Sequence, residues 1–190
     1  MRLGVCVSGQ GTNLRNLVER GLKVVAVATN RPSCGAAALA REKNIPLAEL
    51  SQKSFESAEL RDIAMRDFFA GHGVELVVDA GYDRIHTQPF LEAFADRIIN
   101  VHPSLLPEFA GGLDAIELAL SSGAKVTGAT VHVVTAELDA GPIVLQETVP
   151  IVPGDTVETL RRRVHEAEYR ILPQAIRLME AGLAHGSPVR

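Results

Sequence analysis

The chain has 190 residues, 46% of them hydrophobic and 22% charged, with a formal net charge of -4 at pH 7. That length suits one domain, and that composition provides enough apolar surface for a sizeable core. With one short basic cluster (161–163) inside a helical pattern and no longer Lys/Arg run, a nucleic-acid partner is not favoured. No apolar run reaches the length of a membrane span. Residues 1–5 lead straight into a strand pattern, without the apolar region and cleavage site of a signal peptide. The two cysteines, Cys6 and Cys34, lack CxxC or metal spacing, which predicts a reduced, cytoplasmic setting.

Strand and helix patterns alternate along the chain. Residues 3–7 form a short apolar run ended by Ser8-Gly9-Gln10-Gly11, and Leu14, Leu17 and Val18 then recur at helical spacing. Residues 23–29 (KVVAVAT) are β-branched and continuous, the pattern of a strand covered on both faces. An alanine-rich helix is predicted over 34–43 and another over 59–70, with Leu60, Ile63, Ala64 and Phe68 as its apolar stripe. Strands follow at 74–80 and 98–101, then a helix over 113–120. Residues 126–135 and 143–149 read as an antiparallel pair across a turn. A long helix over 155–181 closes the chain, with Thr156, Leu160, Val164, Ile171, Ala175 and Leu178 on one side and Pro173 set to kink or split it.

Strands separated by helices imply βαβ units and an α/β fold: a mostly parallel twisted sheet, made mixed by the late hairpin. In such sheets ligands bind beyond the carboxyl ends of strands. Three loops there carry candidate chemistry. "SGQGTN" (8–13) opens a helix; its N–H groups, the Thr12 hydroxyl and the Asn13 amide suit a phosphate, although a plain helix cap fits equally well. It is neither GxGxxG nor a Walker loop. Asn100 and His102 are two apart on an extended chain, so they face one side and can converge as donors on an oxyanion. A histidine satisfied by a backbone carbonyl is the plainer alternative. "TAELDAGPI" (135–143) holds Glu137 and Asp139; Asp139 is either a turn residue or the anion that orients His102. His72, His132, His165 and His185 read as less informative, His132 as a core residue of its strand. No HxH or HExxH set argues for a metal.

Taken together, "SGQGTN", "AGYDRI" (80–85), "NVHPSLLPEF" (100–109), "ELDAGPI" (137–143) and "ILP" (171–173) closely resemble the glycinamide ribonucleotide formyltransferase family of purine synthesis, over nearly the whole chain. The resemblance implies a Rossmann-like single domain over 1–190, with a nucleotide phosphate-binding half at 1–100 and a folate-binding, catalytic half at 101–190. It implies that Asn100, His102 and Asp139 form the catalytic set. Gly11, Thr12, Asn13, Gly81, Pro103 and Glu168 would hold the ribonucleotide, Glu168 at the ribose hydroxyls. Asp83, Arg84, Ile85, His86, Asn100, Glu137 and Leu138 would line the folate pocket. The cosubstrate implied is 10-formyltetrahydrofolate, with no metal. The implied partners are small molecules, with no nucleic acid or membrane, and the protein is a monomer or homodimer.

The sequence departs from that family at Ala58, where many members carry arginine, with Arg61 one turn later as its expected stand-in. Asp83 replaces a commonly apolar residue, "EFAGG" (108–112) is about one residue longer than usual, and Asp114 stands near a frequent histidine. A near rival is formyltetrahydrofolate hydrolase, which shares the catalytic set and typically has an additional N-terminal domain; methionyl-tRNA formyltransferase is another relative, which needs a C-terminal tRNA-binding domain and more positive charge. A catalytically inactive nucleotide-binding relative is the remaining alternative.

Overall fold

The computed structural model describes residues 1–112 and 114–184. Leu113, expected to open a helix, and His185 lie outside the described residues. The strands are β1 (Leu3–Val7), β2 (Val24–Thr29), β3 (Leu47–Glu49), β4 (Leu76–Asp79), β5 (Ile98–His102), β6 (Val126–Val133) and β7 (Ile143–Pro150). The helices are α1 (Thr12–Glu19), α2 (Gly35–Glu42), α3 (Ala58–Gly71), α4 (Gln88–Ala93), α5 (Ala115–Ser121) and α6 (Val157–Ala184). The sheet order is β3-β2-β1-β4-β5-β6-β7, so the α/β architecture with a mostly parallel sheet, a late antiparallel hairpin and a long last helix is as expected. By internal contacts the chain divides into two units, Met1–Ile99 and Asn100–Arg190.

In the first unit, β1 pairs in parallel with β2 and β4, and β2 with β3. All five residues of β1 and all four of β4 are buried. This explains why their sequences run apolar without alternation. Two helix starts are fixed by side chains: Ser57 Oγ accepts the Leu60 N–H at 3.1 Å, and Cys34 Sγ lies 3.4 Å from the Ala37 N–H. Phe69, Phe90 and Phe94 pack with ring centroids 5.1–6.3 Å apart, near the preferred range for aromatic pairs. Strand β3 and helix α4 were not foreseen; three and six residues are too few for a periodic signal.

The buried face of α3 differs from the expected one. Arg61, Asp62, Met65 and Phe69 face inward, whereas Leu60 is 46% exposed. Met65 and Phe69 are its apolar half, and an ion pair brings in the other half. Arg61 Nε and Nη2 donate to Asp62 Oδ1 at 2.9 and 2.7 Å, Arg61 Nη1 donates to Gln52 Oε1 at 2.9 Å, and Asp62 Oδ2 accepts the Thr87 N–H at 2.6 Å. Two charges can be buried together when each is paired and hydrogen-bonded. Arg61 is therefore committed to the interior, and the expectation that it stands in for the arginine missing at Ala58 does not hold.

In the second unit, β6 and β7 form the antiparallel pair, with a register shift between Val131 and His132. Helix α6 packs against both strands through Leu160, Val164, Ala167, Ile171, Leu172, Ala175, Ile176 and Met179. Thr156 and Leu178, expected on that face, are exposed. Pro173 does not split the helix, which runs unbroken through it. One lost helical hydrogen bond is outweighed by the burial of its apolar neighbours on both sides.

Candidate functional site

In the first unit, the loop after β1 turns into α1 at Gly11. Its φ of +79° lies in the left-handed region, and a Cβ there would stand 2.6 Å from Ala36 Cα. Only glycine satisfies both conditions. Thr12, the first helical residue, is exposed and Asn13 is buried. The first turn of α1 therefore starts as the sequence anticipated, with N–H groups at a positive helix end. Gly81, also at positive φ (+75°), accepts the Ser8 N–H at 3.0 Å, which ties the ends of β1 and β4 together.

The 80–87 loop is held by buried polar groups. Asp83 is contacted by Asn30 Nδ2 at 2.7 Å, by the Ser8 hydroxyl at 3.0 Å, by the Arg31 guanidinium, and by Arg84 Nε at 3.6 Å. Burial works to raise its carboxyl, but the Asn30 and Ser8 hydrogen bonds and the two arginine charges outweigh that and hold it below the ordinary value. Arg84 is exposed, and Ile85 is 67% exposed, free to contact a ligand. His86 differs. It is buried and directs Nε2 at both oxygens of Asp79, at 2.9 and 3.1 Å. Burial disfavours its charge, yet the Asp79 carboxylate prevails and the imidazole stands above its ordinary value. With its ring buried, His86 can offer an organic ligand outside the core only its backbone.

In the second unit, β5 delivers Asn100 and His102, and the turn after β6 delivers Asp139. Gly141 lets that turn close against β6: a Cβ there would lie 1.8 Å from the Val133 carbonyl oxygen. Asp139 itself is left-handed, with φ of +52°, a conformation Asp tolerates better than most. His102 Nδ1 lies 3.6 Å from Asp139 Oδ2, so the expected imidazole–carboxylate pair is brought together. His132 joins it, with Nε2 3.5 Å from Asp139 Oδ1 and 3.2 Å from Asn100 Nδ2. The His132 imidazole beside it is the main cause that lowers the Asp139 carboxyl. Desolvation opposes it, and the Gly111 N–H and the charges of His102 and His132 reinforce it.

His132, expected as a core residue of its strand, is buried but belongs to this cluster. In the sequence only the polar alternation of Thr130 and His132 marks it. His132 Nδ1 faces the Val133 carbonyl at 3.1 Å. With its proton there, Nε2 can accept from Asn100; a second proton on Nε2 would instead be donated to Asp139. His102 Nε2 faces the Phe109 carbonyl at 3.1 Å, and the Gly111 N–H donates to Asp139 Oδ2 at 2.8 Å. The 108–112 loop thus supplies backbone partners to both groups. Of the other expected residues, Pro103 is half-buried, Glu137 is exposed and Glu168 is buried on α6. Leu138 is 53% exposed beside Asp139.

A cluster of two imidazoles, an amide and a depressed carboxylate offers hydrogen-bond donors and proton carriers to a developing oxyanion. Residues 1–176 match the family model described as formyl transferase. The chain belongs to the formyl transferase family. It is 37% identical to a phosphoribosylglycinamide formyltransferase of Haemophilus influenzae, over 95% of this chain and 88% of that protein. It is 40% identical to the trifunctional purine biosynthetic protein adenosine-3 of Gallus gallus, over 96% of this chain, and spans 19% of that protein's length. Among solved structures, glycinamide ribonucleotide transformylase 1 from Symbiobacterium toebii superposes with a TM-score of 0.91 at 43% identity, over 96% of this chain and 88% of that one. As a member of this family the chain is a folate-dependent formyltransferase. Among the described residues, no helix is long and apolar enough to cross a membrane.

Proposed function

We propose that the chain transfers the formyl group of 10-formyltetrahydrofolate to the glycinamide amine of phosphoribosylglycinamide, in purine biosynthesis, and that Asn100, His102 and Asp139 carry the chemistry. The observation that carries this reading is the convergence of His102 and His132 on Asp139, with Asn100 bonded to His132. The primary amine attacks the formyl carbon, and a new C–N bond forms as the carbonyl oxygen becomes an oxyanion. Asn100, whose amide carries two N–H groups, and protonated His102 donate to that oxygen. Asp139, anionic at neutral pH, favours the imidazolium. The amine then loses a proton, the bond from the formyl carbon to N10 of the folate breaks, and N10 takes up a proton. No covalent bond to the protein is required. For His102 Nε2 to reach the oxyanion, the Phe109 carbonyl has to give way, so ligand binding displaces the 108–112 loop.

In this reading residues 1–100 supply the phosphate-binding half, through Gly11, Thr12, Asn13 and Gly81. Residues 101–190 supply the catalytic and folate-binding half, with Pro103 and Glu168 contacting the nucleotide. Exposed Arg84, Ile85, Glu137 and Leu138, with Asp83 and the His86 backbone, contact the folate. The test is a formyl-transfer assay that compares glycinamide ribonucleotide with water as acceptor. Formylation of the ribonucleotide is the expected result. Release of formate to water alone identifies a hydrolase, and turnover with neither identifies a nucleotide-binding relative without this activity.

A further inference from the structure

We propose that Cys6, Asp79 and His86, with Met65 beside them, form a structural site for one thiophilic divalent cation of the zinc class. The proposal concerns the first unit alone and does not rest on the formyl-transfer reading. Strand pairing creates the cluster. Cys6 of β1 and Asp79 of β4 are direct partners in the parallel register, and His86 returns to Asp79 at the end of the following loop, with Nε2 2.9 and 3.1 Å from the two carboxylate oxygens. One ligand atom from each of the three lies within 4.8 Å of the others, and all three residues are buried. An ion bonded to nitrogen, oxygen and sulfur at roughly 2.0–2.3 Å holds its ligands about 3.3–3.8 Å apart in a tetrahedron, so small side-chain adjustments suffice. Met65 Sδ lies 3.7 Å from Cys6 Sγ and places a weak, soft fourth donor next to the thiolate.

The donor set selects the ion. A thiolate with an imidazole and one carboxylate suits zinc and its neighbours, whereas magnesium and calcium require oxygen ligands. One thiolate and one carboxylate neutralise a divalent charge in an interior where the nearby Arg61 and Asp62 already neutralise each other. Binding releases the Cys6 proton, and any second proton on His86, to solvent. Burial leaves little room for a water ligand: Cys6, Asp79 and His86 are 0%, 6% and 5% exposed. That fits a structural site, not a catalytic one. His86 is held in orientation by stacking on Tyr82 and Phe90, with centroids 5.3 and 4.4 Å away. The ion would brace the 80–87 loop against β1.

The full chain, unfolded in chelator and refolded with cobalt(II), tests this by metal analysis and near-ultraviolet absorption. The expected result is about one cobalt per chain, a sulfur-to-cobalt charge-transfer band, and a thermal midpoint that rises with cobalt or zinc. Cys6→Ser should lose the band and Cys34→Ser should keep it. If Cys6→Ser does not fold, His86→Gln serves the same purpose by weakening cobalt retention at least tenfold, roughly the effect of disturbing a metal site. A wild-type chain with no band and no response of its midpoint to zinc overturns the proposal. So does a band that survives Cys6→Ser or His86→Gln unchanged.

Discussion

Each unit contains a carboxylate facing imidazole, and the two arrangements differ in tightness and surroundings. In the first unit Asp79 and His86 meet at 2.9 Å, both buried, with the imidazole ring stacked between aromatic neighbours. In the second unit Asp139 stands 3.5 Å and 3.6 Å from two imidazoles, on a left-handed turn next to an exposed stretch. The first arrangement is tight and buried, and it ties the 80–87 loop to β4. The second is looser, and its partners include the Phe109 carbonyl and the Gly111 N–H of the 108–112 loop. In the proposed reading the same two side-chain types serve architecture in one place and proton chemistry in the other, and what separates them is the packing around the pair.

Substitutions can break this contrast. The largest effect is expected from His86→Leu. It leaves the Asp79 carboxylate buried without its partner, which costs about 3–5 kcal/mol. Urea unfolding should show that loss. Comparable stability in the variant would show that Asp79 is not held as an anion. His102→Ala should do the reverse: turnover falls by ~10²–10³, typical for loss of an oxyanion donor, with little change in the unfolding midpoint. If turnover survives, His102 has no part in the chemistry.

Asp139→Asn is expected to have a smaller and pH-dependent effect. Removing the anion disfavours a charged imidazole, so activity should fall most at neutral and higher pH, and a pH–rate profile checks this. Asp139 also links stability to pH. Its carboxyl is lower in the fold than in the unfolded chain, so its contribution is present above the unfolded value and is lost as pH falls through the folded one. The Asn variant should lack that acid-side loss in unfolding measurements at low pH. An unchanged rate profile reduces Asp139 to a turn residue.

The mildest expected change is at the α1 start. Thr12→Ala removes one exposed hydroxyl and should weaken nucleotide binding about tenfold, the scale of one hydrogen bond to a charged group, with folate binding intact by calorimetry. Unchanged nucleotide binding would place the phosphate elsewhere, and equal loss of both ligands would show that the substitution had damaged the fold. Gly11→Val is not a clean probe of phosphate binding, because the positive φ and the contact with Ala36 make it a test of folding.

The sequence by itself determined the alternation of strands and helices, the late hairpin and the loops at strand ends, because apolar periodicity and glycine placement are local properties. It also determined that Asn100 and His102 share a face, since a strand has a period of two. Tertiary structure decided what depends on distant partners. The inward face of α3 includes an Arg61–Asp62 pair that hydropathy reads as surface. His132 joined Asn100 and Asp139 only through the folding of β5, β6 and the turn that follows. Cys6 met Asp79 only because β1 and β4, far apart in sequence, pair in that register. Buried charge is stable only when its partner is in place, and no local pattern in the chain records where that partner will be.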